Sequence, residues 1–317
     1  MKKIDFLVFG LVIIALGFFS MISDTTKASE NNKLTIVTSF YPLKYFASEI
    51  AGNTARVINI GANNDPHAFT PSAKDIMTMQ DANLVLLQGA GFESWGEDLE
   101  HQLKNADTPV YVVAEHLKLH KMNESDEQHE DALDTHKEKQ HHHGGYDPHT
   151  WLSPVLAAQT VEGISAKLSA INPTQASLYK QNANKLIEKL NALDVEYRQQ
   201  LDPAKCSTSV ALISHDALGY IAHRYNLTMH PIAGISTQDK PSAKLLVGLK
   251  KLVKKEGVVA VLTEENSVKK YAQTIANETG IMMLQVNVLA TGVVDGDYVS
   301  GMRSNLENLK KAYGCAK

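Results

Sequence analysis

The chain has 317 residues, 44% hydrophobic and 21% charged, with a formal net charge of −4. That length accommodates two ordinary hydrophobic cores. The charge balance leaves no basic footprint for nucleic acid and no glycine-rich phosphate loop occurs, so nucleic-acid and nucleotide binding are set aside.

Lys2 and Lys3 precede an apolar run from Phe6 to Phe19, and a polar stretch with Thr26-Lys27-Ala28 follows. This is the layout of a secretory signal over residues 1–28, cleaved near Ala28. Retention as a membrane anchor is the alternative, because the apolar run approaches bilayer length. No cysteine ends the segment, so a lipid anchor is not expected there. Either outcome exports the body of the protein to a periplasmic or other extracytoplasmic location.

Residues 33–38 are apolar and rich in β-branched side chains, which predicts a strand; 41–51 reads as a helix with Leu43, Phe46, Ala47 and Ile50 on one face. A second strand covers 55–60 and stops at Gly61. The loop through Asp65-Pro66-His67 leads to Ser72, a cap for a helix through Gln80. Apolar runs at 84–87 and 110–113 are further strands with helical sequence between them. Strands apolar on both faces and alternating with helices predict a parallel sheet covered on both sides.

Eight of the thirteen histidines lie between His116 and Trp151: His116, His120, His129, His136, His141, His142, His143 and His149. The segment is acidic and nearly devoid of apolar residues, so it cannot offset its ordering entropy and is expected to be a mobile loop over 116–148. Such a run of imidazoles can capture metal without a fixed geometry; a solvated loop with no role is the alternative. It ends in the ordered-looking Asp147-Pro148-His149-Thr150-Trp151.

Pro154 suits the first turn of a helix running to Ile171, and Asn172-Pro173 breaks it. Residues 175–201 contain no Gly or Pro, and Leu178, Ala183, Leu186, Ile187, Leu190, Leu193 and Tyr197 keep helical spacing. At about 1.5 Å per residue this is a strut of roughly 40 Å. The first half's pattern then returns, with strands at 209–213, 229–232, 258–262 and 281–286 and helices from Ala217 and over 243–256, 268–279 and 298–313. The fold class is therefore α/β: two lobes, each a mostly parallel sheet covered by helices, joined by one long rigid helix. The divisions are a lobe over 33–173, a linking helix over 174–201 and a lobe over 202–317. In an exported protein the pair Cys206 and Cys315 suggests a disulfide tying the C-terminal tail to the start of a strand, with two free thiols as the alternative. Trp95 and Trp151 read as packing residues, and Lys250 to Lys255 as a solvated helix face.

Three histidines stand where strand ends deliver side chains to one edge. His67 follows the second strand, His149 closes the histidine-rich tract, and His215 comes immediately after the strand 209–213. Ligands of open parallel sheets bind outside the carboxyl ends of the strands, so facing lobes would bring the three together. In both Asp-Pro-His stretches proline stiffens the loop that carries the imidazole. Each histidine alone reads as a core or capping residue; jointly they point to a metal site.

At these residues the sequence resembles a known family. Asp65-Pro-His-Ala-Phe-Thr-Pro-Ser72, Asp147-Pro-His-Thr-Trp-Leu152, Ser214-His-Asp-Ala-Leu-Gly-Tyr220 and Gly234-Ile-Ser-Thr with Lys240-Pro-Ser242 resemble, in order and spacing over 33–317, the motifs of zinc- and manganese-binding solute-binding proteins of bacterial ABC importers. The resemblance implies two α/β lobes joined by a long helix, a divalent ion in the cleft, and His67, His149 and His215 as its ligands. A histidine at position 215 and the histidine-rich tract point to Zn(II) as the cargo. An ABC permease is the implied partner, and the protein is expected to be a monomer and not an enzyme. Where the family places an aspartate that completes the site, this chain has Asn287, which leaves water or a tract histidine such as His143 for the fourth position. Two rival readings are a zinc buffer or adhesin of the same fold and an exported zinc hydrolase. The hydrolase needs a general base, for which Asp216 and Glu264 are the candidates.

Overall fold

The computed structural model describes residues 33–62, 64–103, 107–121, 145–264 and 268–315. The signal or anchor over 1–28, the tract histidines His129, His136, His141, His142 and His143, and the side chain of His101 lie outside the described residues.

In the first lobe β1 (Leu34–Thr38), α1 (Tyr41–Ala51), β2 (Ala55–Asn59), α2 (Ala73–Gln80), β3 (Leu84–Leu87), α3 (Gly96–Leu103) and β4 (Val110–Val112) follow one another. The sheet is parallel throughout, in the order β2-β1-β3-β4. Leu43, Phe46, Ala47 and Ile50 are the buried face of α1, as their spacing requires. α2 starts in a reciprocal cap: the Ser72 hydroxyl accepts the Asp75 N–H, and the Asp75 carboxylate accepts the Ser72 N–H.

Two helices follow, α4 (Pro154–Ile171) and α5 (Ala176–Gln200). α4 opens with Pro154 in its first turn and Ser153 as its cap. The 25 residues of α5 make a rod of about 38 Å. Its buried stripe, Tyr179, Ala183, Leu186, Leu190, Leu193 and Tyr197, advances by three and four residues.

The second lobe repeats the first with β5 (Val210–His215), α6 (Gly219–Arg224), β6 (Thr228–Ala233), α7 (Ala243–Glu256), β7 (Ala260–Thr263), α8 (Lys269–Thr279), β8 (Met282–Gln285) and α9 (Tyr298–Tyr313). Its strand order is β6-β5-β7-β8, again all parallel. One boundary bears on function: the strand expected over 209–213 runs on to His215, which is its last residue rather than part of the loop beyond it. The ladder extends because His215 pairs with Ala233 of β6.

One apolar core runs through both lobes, containing Ile36, Phe46 and Trp151 of the first, Tyr197 of α5, and Ile213, Val286 and Tyr298 of the second. Separate clusters fill the outer layer of each lobe. Polar contacts stitch the seam: the Tyr41 N–H donates to Ala290 O at 3.2 Å, the Trp151 indole N–H to Val288 O at 2.7 Å, and the Tyr298 hydroxyl to Trp151 O. Cys206 and Cys315 form a disulfide across 109 positions of sequence. Among the described residues no helix is long and apolar enough to cross a membrane.

Candidate metal centre

The two Asp-Pro-His stretches fold alike. Asp65 accepts the His67 backbone N–H at 3.0 Å, and Asp147 accepts that of His149 at 2.9 Å, so each carboxylate closes a tight turn around its proline and aims the imidazole. His67 arrives on the loop after β2, His149 on the segment after β4, and His215 on the last residue of β5. The three converge, with one ring nitrogen of each within 4.8 Å of the others. Ring centroids are 5.5 Å apart for His67–His149 and His149–His215 and 6.2 Å for His67–His215. Tetrahedral zinc with nitrogens at about 2.0–2.1 Å holds them roughly 3.4 Å apart, so a small inward movement suffices.

His149 and His215 are buried and His67 half-buried. Phe92 lies edge-on to His67 at 5.0 Å and to His149 at 6.5 Å, giving the centre an apolar wall. Behind that wall the buried Glu93 carboxylate accepts from the Ser39 hydroxyl at 2.5 Å and from the N–H groups of Gln88 and Gly89 at 2.8 and 2.9 Å. It thereby clamps the loops that leave β1 and β3. Burial pushes the Glu93 carboxyl up, against the pull of those three donors.

Each of two imidazoles has a carboxylate on its far side. Asp147 Oδ1 lies 2.8 Å from His149 Nδ1, and Glu264 Oε1 lies 2.5 Å from His215 Nδ1. Such pairs fix the tautomer and turn Nε2 toward the centre. Burial pushes the Asp147 carboxyl up to about 7, opposed by the His149 N–H and the neighbouring His120 and His215. Burial favours neutral His215, but the carboxylate of Glu264, with those of Asp216 and Asp65, together outweighs it and raises the imidazole above its ordinary value. Gly219 admits this arrangement: a Cβ there would lie 2.9 Å from Asp147 Oδ2.

Asp65 has a second task. Its Oδ2 accepts from the Thr237 hydroxyl at 2.6 Å and the Gln238 amide at 3.2 Å, a clasp between the loop bearing His67 and the other lobe. Asn287 does not offer its side chain to the centre. Its Oδ1 accepts the Leu289 N–H at 2.6 Å and its Nδ2 donates to Gly292 O at 3.1 Å, which shapes the loop after β8. Trp151 packs as expected, with its indole also bonded across the seam. No motif in the sequence marks Glu93 or the interlobe role of Asp65. Glu264, by sequence a candidate general base, sits instead against Nδ1 of His215. Recurrence of aspartate before both Pro-His pairs was the available signal for Asp65 and Asp147.

Two α/β lobes with three convergent imidazoles at their junction define a two-lobed metal-binding protein. Residues 36–312 match the family described as zinc-uptake complex component A, periplasmic, and the chain belongs to that family. It is 34% identical to the zinc-binding lipoprotein AdcA of Streptococcus pneumoniae, over 98% of this chain but 61% of that relative's length. It is 33% identical to the high-affinity zinc uptake system protein ZnuA of Bacillus subtilis, over 95% and 96% of the two chains. Among solved structures it resembles the Zn(II)-bound ZnuA-like domain of S. pneumoniae AdcA (TM-score 0.70, 32% identity, 89% and 99% covered). The laminin-binding protein of Streptococcus agalactiae, described as an adhesin with metal-transporting activity, gives TM-score 0.75 at 28% identity, with 88% and 99% covered.

Proposed function

We propose that this protein is exported, captures Zn(II) between its lobes through His67, His149 and His215, and delivers it as a monomer to the permease of an ABC importer. The observation that carries this reading is the convergence of three imidazoles from three separate elements within 4.8 Å. Neutral imidazoles suit zinc, and three of them leave a fourth position for water or for the transporter to exploit. Glu264 stands behind His215, so it serves ligand orientation rather than activation of a water, and a carrier is favoured over a hydrolase. The likeness to the laminin-binding protein favours a second reading, an adhesin of the same fold.

Calorimetric titration with Zn(II) tests the first reading. One tight equivalent is expected, lost in His67→Ala and His215→Ala and retained in Asn287→Ala. Equal losses in all three variants would overturn the ligand assignment. Restoration of growth of a zinc-importer deletion strain under zinc limitation separates delivery from adhesion.

A further inference from the structure

A side chain of the second lobe is built into the backbone pairing of the first. Lys121 pairs antiparallel with Tyr146, so His120 and Asp147 stand opposite each other as the next pair of that short ladder. Opposed residues of a hydrogen-bonded antiparallel pair exchange both of their backbone bonds. One is direct here: the Asp147 N–H donates to His120 O at 3.1 Å. In place of the other stands the Tyr220 hydroxyl, which accepts the His120 N–H at 3.2 Å and donates to Asp147 O at 2.8 Å.

The hydroxyl is held for this task. Tyr220 is buried, and burial pushes its ionisation up, so it keeps the proton that it gives to Asp147. Its ring stacks on that of His120 with centroids 4.4 Å apart. Tyr220 comes five residues after His215, in the first turn of α6, and its neighbour Gly219 lies against the Asp147 carboxylate. The stretch 215–220 therefore carries one imidazole of the centre and grips the backbone of the residue whose carboxylate orients another, His149. Without the hydroxyl, the His120 N–H and Asp147 O lose their shared partner and have only each other. A direct bond spans roughly 2.7–3.2 Å, less than the gap a hydroxyl bridges, so closing it draws Asp147 off its place behind His149.

We infer that Tyr220 is a positioning residue for the metal centre: by standing in for a backbone hydrogen bond between His120 and Asp147, it sets His149 at a fixed place relative to His215, so that the two lobes present their imidazoles as one unit. The inference rests on His149 and His215 being zinc ligands.

The test compares the full chain with Tyr220→Phe, which keeps the ring and its stack, and with Tyr225→Phe, which removes a similarly buried hydroxyl bonded to Asp194 instead. Zn(II) affinity is measured by competition with a chelator, and the imidazole N–H resonances of His149 and His215 are followed before and after one equivalent of Zn(II). In Tyr220→Phe affinity is expected to fall about 10-fold with one equivalent still bound. The His149 resonance of the metal-free protein is expected to broaden through faster exchange while that of His215 keeps its wild-type position. Tyr225→Phe is expected to leave affinity and both resonances unchanged. Unchanged affinity in Tyr220→Phe would overturn the inference, and so would an equal loss in Tyr225→Phe, since affinity would then follow stability. Hydrogen exchange of the unaltered chain needs no variant: the His120 amide is expected to be as protected as that of Asp147, and a freely exchanging His120 amide would remove the bond on which the inference stands. A wild-type chain whose His149 and His215 resonances ignore Zn(II) would overturn the ligand assignment itself, an outcome visible before any variant is made.

Discussion

Asp147 does three things with one carboxylate: it closes the turn before His149, orients that imidazole, and packs against the start of α6 at Gly219. In Asp147→Asn the turn survives, because an amide oxygen still accepts the His149 N–H, but the hydrogen-bonded anion behind the ring is lost. Zinc affinity is expected to fall about 10–100-fold with the stoichiometry unchanged, as for other groups that support metal ligands. Competition against a chelator of known affinity measures it; an unchanged affinity would mean that packing against Trp151 and Phe92 alone orients His149. The imidazoles were legible in the sequence because an Asp-Pro-His triplet recurs and strand ends collect ligands. The partners of the carboxylates were not, since Asp65 meets Thr237 across 172 positions. Asn287 shows the limit most clearly. Its alignment with a ligand position says nothing about where the amide turns, and here it turns into its own loop.

Among elements, α5 was the easiest to read and its attachment the hardest. Period and the absence of Gly and Pro predict a helix over 174–201, and the observed one starts two residues later and ends one earlier. No pattern announced that Asp194, on its buried stripe, would accept from Arg224 at 2.5 and 2.7 Å, Arg198 at 2.8 Å and Tyr225 at 2.9 Å. Burial alone would raise the Asp194 carboxyl; these donors outweigh it and hold it at about 2. The folded-state value lies below the ordinary one of about 3.9, so the linked stability is complete above that value and disappears as pH falls toward 2. Urea midpoints measured from pH 5 to pH 2 are expected to fall through that window, and to fall less steeply in Arg224→Leu. Equal slopes would remove this network as a cause of acid sensitivity. Composition predicts a mobile insertion from His116 onward. In fact a 3₁₀ turn over Val113–His116 and the stack of His116 on Tyr111 at 4.6 Å continue the fold to Lys121. An aromatic neighbour five positions back is enough to order a histidine that composition assigns to a loop.

For the whole molecule, the alternation of strand and helix gave the two parallel sheets, and the even cysteine count gave the disulfide. What sequence could not give is that one apolar core passes through both lobes. Lobes joined by a large apolar seam move as one body, unlike lobes hung on a polar linker. Rearrangement during metal capture is therefore expected in the loops bearing His67 and His149 rather than in the sheets. Cys206–Cys315 closes 109 positions of chain around the second lobe. Replacing both cysteines with serine is expected to cost about 2–5 kcal/mol in the free energy of unfolding. A denaturant titration checks it; no loss would mean that the hydrogen bonds from Ser207 and Thr208 to the Tyr313 carbonyl hold the tail unaided.

The indole bond from Trp151 to Val288 has an optical consequence. Trp151 is one of two tryptophans, it touches His149 at 5.2 Å between centroids, and its N–H ends on the opposite lobe. Trp95 lies away from it, in the outer core of the first lobe. In a Trp95→Phe background the emission of the chain therefore reports a single bond across the seam, beside the metal centre. Adding Zn(II) is expected to change its intensity or wavelength at one equivalent, and a spectrum that does not respond would place the seam and the centre out of communication.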